Sequence, residues 1–173
     1  MTSTTLLFLV IGLGLVAWFF GRLKAAGLHT RGKGSRSVLH SLPNYHGWYV
    51  ALWAIVPATI FMMVWSFVSP SLITDAALNS PAAAQLPQGG FARGAILSEA
   101  RAIAYGHQVN AFNPLSQSMV TPYREAISYY QMIGAVAALL MVFACGVYAW
   151  LKIKPDLRAR TKIERVTMMV LLL

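Results

Sequence analysis

The sequence predicts an all-α integral membrane protein with three complete transmembrane helices, the start of a fourth, and a short amphipathic helix in an outer loop. Uncharged apolar runs of membrane-crossing length recur at residues 1–21, 48–68 and 129–151. Only 11% of the residues are charged and 57% are hydrophobic, with a mean hydropathy of +0.59, whereas soluble domains carry about 25% charged residues. The 14 Lys and Arg are clustered rather than scattered: 5 fall in residues 22–47 and 6 in residues 152–165. This composition excludes a disordered polar chain, a disulfide-framed secreted module and a soluble globular enzyme with a sequence-evident site. The single cysteine, Cys145, has no partner for an internal bridge.

The first run contains Leu6 to Phe20, LLFLVIGLGLVAWFF, and about 20 helical residues at 1.5 Å rise cross a hydrocarbon layer of ~30 Å. A cleaved signal peptide would need positive charge before this run and a small-residue cleavage site after it. Here the positives follow: Arg22, Lys24, Arg31, Lys33 and Arg36, with no acid among them. Residues 22–47 are therefore expected to form a basic cytoplasmic loop.

The second run, Trp48 to Val68, has Tyr45, Trp48 and Tyr49 at its entrance and Trp65 near its exit, the interfacial placement of aromatics on a spanning helix. Pro57 lies inside it, and a kink there is expected. Residues 69–128 change character. Pro70, Pro81, Pro87, Gly89, Gly90, Pro114 and Pro122 punctuate them, and Arg93, Arg101 and Arg124 are balanced by Asp75, Glu99 and Glu125. A periplasmic loop is expected. Within it Ile96, Leu97, Ala100, Ile103 and Ala104 share one helical face, opened by Gly94 or Ser98 and ended by Gly106. Such a helix is expected to pack on the outer ends of the spans.

The third run, Tyr129 to Leu151, carries Gln131 near one end and Tyr148 and Trp150 at the other. Gly134, Ala135, Ala137, Ala138, Ala144 and Gly146 give it small residues where another helix can approach. Lys152, Lys154, Arg158, Arg160, Lys162 and Arg165 then make residues 152–165 a second basic cytoplasmic loop. With two cytoplasmic segments joined through two crossings, the N-terminus is periplasmic. Residues 166–173, VTMMVLLL, begin a fourth apolar run that stops well short of a crossing.

Chemistry-bearing motifs are sparse. Gly27 to Lys33, GLHTRGK, matches the opening of a phosphate-binding P-loop, but Gly34 stands where a hydroxyl must meet magnesium, and no buried strand precedes it. His29, His40, His46 and His107 show no metal- or haem-binding spacing on a predicted helix. Cys145 reads as a small buried hydrophobe. Glu99-Ala100-Arg101 followed by Gly106 partly echoes the loop by which permeases engage their ATPase, but it lies on the outer side. No catalytic, cofactor-binding or metal residue is assigned, no substrate ligand is named, and catalysis is not expected.

Three stretches form a recognisable set: LPNYHGWYVALWAIVPA at Leu42 to Ala58, LSEARAIAYG at Leu97 to Gly106, and IKPDLRARTKIERV at Ile153 to Val166. Together they resemble the N-terminal extension of the bacterial phosphate ABC transporter permease subunit PstC. The resemblance implies a place in the cell inner membrane ahead of a permease body, with a second permease PstA, the ATPase PstB and a periplasmic phosphate-binding protein as partners. The permease body is not in these residues, and the chain is expected to be cut before it. Support of phosphate import, without forming the path, is the implied role. The alternatives are a stand-alone membrane accessory or assembly protein and a membrane sensor with an external ligand-binding loop.

Overall fold

The computed structural model describes residues 3–31, 43–153 and 159–172. All regular structure in them is helical: α1 (Ser3–Arg31), α2 (Pro43–Leu78), a short 3-10 turn (Pro81–Gln85), α3 (Gly90–Ala104), α4 (Pro114–Leu151) and α5 (Ala159–Leu171). Three of these, α1, α2 and α4, are long and apolar enough to cross a membrane. Two compact units result, one of Met1–Met63 with Ala135–Leu173, the other of Val64–Gly134.

In the first unit, α1 and α2 meet where neither has a side chain. A Cβ on Gly47 would stand 2.8 Å from the Trp18 carbonyl oxygen, and one on Gly21 would stand 3.2 Å from the Gly47 Cα. Lipid tails are as apolar as leucine, so such helices associate through close packing rather than water exclusion. The α2–α4 contact uses the small residues of the third run: a Cβ on Gly146 would lie 3.5 Å from that of Ala54. Val10, Ala54, Ala58 and Val142 form one buried cluster. Tyr49, Val50, Ala149 and Ile153 form another, with Ile163 of α5 packed against it. The opposite faces expose Phe8, Phe19, Met63 and Leu140, as lipid-facing helices do.

In the second unit, α3 opens earlier than its apolar face suggests. Its N-cap is Gly89 at φ 83°, not Gly94 or Ser98, because the Pro87-Gln88-Gly89-Gly90 turn supplies a positive-φ position at no steric cost. It ends at Gly106 as expected. The Gly106 N–H donates to Ile103 O (3.0 Å) and the His107 N–H to Ala102 O (2.8 Å), the paired bonds of a glycine-terminated helix. Ile96, Ala100 and Ile103 are buried, and Ile73, Ala77, Leu86, Met119, Tyr123, Ala126 and Ile127 complete the core with Ile96 and Ala100. The expected packing face is thus the observed one. Against a water-exposed alternative, each buried Ile or Met side chain contributes about 1.5–3 kcal/mol.

The helices outrun the apolar runs. Residues 69–78 continue α2 through Pro70, and residues 114–128 belong to α4 despite Pro122. Asn113 explains the early start of α4: its side-chain Oδ1 accepts the Leu115 N–H at 2.9 Å, and Pro114 follows at the first helical position. Around the prolines of α2, Thr59 Oγ1 donates to Ile55 O (2.9 Å) and Thr74 Oγ1 to Pro70 O (2.8 Å), tying the flanking turns down.

Candidate functional site

Among the described residues, two constellations of charged groups stand out, one in each unit. In the first unit α1 runs past its apolar stretch to Arg31, so Arg22 and Lys24 ride on a helix rather than a loop. Three cations there lie on aromatic rings. Lys24 Nζ stands 3.9 Å from the Trp150 ring centroid, the Arg22 guanidinium 5.5 Å from that of Trp18, and Lys152 Nζ 5.4 Å from that of Tyr148. Lys24 Nζ also donates to Trp150 O at 2.6 Å, one of the last carbonyls of α4, which have no partner within the helix. Positive charge at that end complements the helix dipole. Lys33, Arg36, Lys154 and Arg158 lie outside the described residues.

In the second unit Glu99, half-buried on α3, gathers the approach to α4. Its Oε2 accepts the Ser116 hydroxyl at 2.6 Å, and its Oε1 accepts the Phe112 N–H. The Ser116 bond first, then N–H groups of Phe112 and Asn113, hold the Glu99 carboxyl below its ordinary range. Ser116 is fully buried, and a buried hydroxyl needs such an acceptor. Two residues on, Arg101 donates to Thr74 Oγ1 of α2 and lies 6.0 Å from the Tyr123 ring centroid of α4. Adjacent α3 charges therefore fasten the helix to both neighbours. These are positioning contacts.

The remaining candidate residues are dispersed. Within Gly27–Lys33, residues 27–31 are helical in α1, so their N–H groups do not form an open phosphate loop; residues 32–34 and His40 lie outside the described residues. His46 is fully buried at the start of α2, His107 stacks on Tyr105 with centroids 6.2 Å apart, and His29 is a residue of α1. Cys145 is half-buried. Among the described residues, no three of His, Cys, Asp or Glu gather as a metal site would require. Ala100, at the centre of the partial Glu-Ala-Arg echo, is buried in the second unit's core, so the motif is packed rather than presented. Sequence reasoning missed Ser116, Thr74 and Phe112; the Asn113-Pro114 cap signal would have placed Ser116 on the first turn of a helix.

A helical membrane protein of three span-capable helices, with Arg22, Lys24 and Lys152 set on aromatic rings just past the apolar stretches, is the class that this architecture defines. The chain belongs to the phosphate ATP-binding cassette transporter family, whose model matches residues 7–173. No curated protein and no solved structure matches it.

Proposed function

We propose that this chain is the N-terminal membrane region of a phosphate ABC transporter permease, of the kind that precedes the permease body in PstC, and that it supports phosphate import without forming the translocation path. Family membership across residues 7–173 is the observation that carries this reading. The apolar spans favour the supporting role. An anion crossing a membrane needs a polar or cationic path, and residues 1–21, 48–68 and 129–151 contain no ionisable side chain other than tyrosine and Cys145. On this reading the chain sits in the bacterial inner membrane with its N-terminus periplasmic, is non-catalytic, and works beside a second permease PstA, the ATPase PstB and a periplasmic phosphate-binding protein. Residues 70–126 lie on the side where that binding protein docks.

Two measurements test it together. Affinity purification from membranes through an N-terminal tag should recover transporter ATPase and permease subunits, and proteoliposomes holding the 173-residue chain alone should accumulate no labelled phosphate. Recovery of no transporter subunit, or phosphate flux through the chain alone, would overturn the reading.

A further inference from the structure

The first unit contains an apolar cleft of about 330 Å³ between α1 and α4, in the ~300–1,000 Å³ range of small-molecule sites. Leu13, Val16 and Phe20 of α1 form one wall and Phe143, Val147 and Trp150 of α4 the other. Every lining residue is apolar. Val16, Phe20, Phe143 and Val147 are all half or more exposed, so the cleft opens sideways along the lipid-facing surface of the helices.

Its basic end carries the charge. Lys24, one helical turn beyond Phe20, places Nζ 3.9 Å from the ring centroid of Trp150, a wall residue, and donates to the Trp150 carbonyl at 2.6 Å. An ammonium has three N–H donors, and one carbonyl takes one of them. Arg22 and Lys152 lie nearby, on the Trp18 and Tyr148 rings. An apolar slot about two helical turns long, closed at its basic end by a lysine held over an indole, matches an amphiphile with a hydrocarbon tail and an anionic head.

From this juxtaposition we infer that the α1–α4 cleft is a site for one acyl chain of an anionic phospholipid, with Lys24 receiving the phosphate group. A second copy of the chain or a partner helix would fill the apolar walls equally well, but its apolar face would bring no anion to the lysine. The lipid satisfies both features at once. The inference needs only the membrane placement of α1 and α4 and does not depend on the phosphate-import reading.

The test uses the full chain in nanodiscs of zwitterionic phosphatidylcholine, with a minor fraction of either brominated phosphatidylglycerol or brominated phosphatidylcholine. Bromine quenches nearby tryptophan, and the difference between the wild type and Trp150→Phe isolates the Trp150 signal. Trp150 should show about fivefold preference for the anionic lipid, the size one lysine gives at an anionic surface. Lys24→Gln should abolish the preference and Lys24→Arg should keep it. Val147→Phe, which fills the cleft at an exposed position, should weaken quenching by both lipids. Millimolar inorganic phosphate should change nothing. Equal quenching by the two lipids would show ordinary boundary lipid and overturn the inference. So would absence of any quenching at Trp150, which means that protein covers the cleft. Undiminished quenching in Val147→Phe, or loss of the preference in free phosphate, would likewise contradict a tail-in-cleft site.

Discussion

Lys24 Nζ donates a 2.6 Å hydrogen bond to the carbonyl oxygen of Trp150, and so fastens the polar end of α1 to the last turn of α4. The residues are 126 positions apart, and the contact supplies a second donor to a helix-terminal carbonyl that also accepts the Ile153 N–H at 3.3 Å, a cation to a dipole and an ammonium to a ring. Lys24→Gln should therefore lower stability by about 1 kcal/mol, while Lys24→Arg retains most of it. Denaturation of the two variants in the same detergent checks this. A glutamine variant as stable as the wild type would remove the contact from the account of the fold.

The α1–α2 crossing depends on the absence of side chains at Gly21 and Gly47. Gly47→Val should cost at least ~1–3 kcal/mol by overpacking, because its Cβ would meet the Trp18 carbonyl at 2.8 Å and the Trp18 ring at 2.9 Å. Gly12→Ala is the control: a Cβ there meets nothing within 4 Å, and stability should hold. The comparison is read from folded yield and midpoint of unfolding, and equal behaviour of the two variants would refute the close crossing.

Acid should loosen the Glu99 clamp in a predictable direction. The folded carboxyl titrates below its ordinary value of 4.5, chiefly through the Ser116 hydroxyl. A group with a depressed folded value stabilises fully above the unfolded value and loses that contribution as pH falls through the folded one. The amide resonance of Phe112 should follow this titration with a midpoint below 4.5. It should stay flat in Glu99→Gln, and its midpoint should rise in Ser116→Ala. A midpoint unmoved by removing the hydroxyl would contradict the clamp.

Tyr123 is fully buried, and its hydroxyl has no hydrogen-bond partner among the described residues. An unsatisfied buried hydroxyl costs about 1–3 kcal/mol of desolvation. Tyr123→Phe should accordingly be neutral or stabilising in thermal unfolding, because the ring packing and its contact with Arg101 persist. A marked loss of stability would show that the hydroxyl is engaged.

The apolar runs and the face of α3 were legible because burial imposes a period that side-chain chemistry reveals directly. Leu97, Ala100 and Ala104 lie where a 3.6-residue repeat puts them, and Gly106 ends the helix as its chemistry requires. The extensions of α2 and α4 were harder to read. Pro70 and Pro122 look like breaks, and polar neighbours such as Asp75, Arg124 and Glu125 mask a narrow buried stripe. That stripe is present in the sequence all the same: Met119, Tyr123, Ala126 and Ile127 fall at i, i+4, i+7 and i+8. The Glu99–Ser116 and Arg101–Thr74 contacts join residues 17 and 27 positions apart. No local rule encodes such pairs, which exist only once the core has brought three helices together.

The proposed topology is a chain crossing the membrane three times with its basic segments in the cytoplasm. Single cysteines placed by Gly34→Cys or Gln88→Cys in a Cys145→Ser background, probed with a membrane-impermeant maleimide, test it most directly. In cells with a permeabilised outer membrane, position 88 should label and position 34 should label only after lysis. Labelling of position 34 from outside, with position 88 protected, would contradict the account.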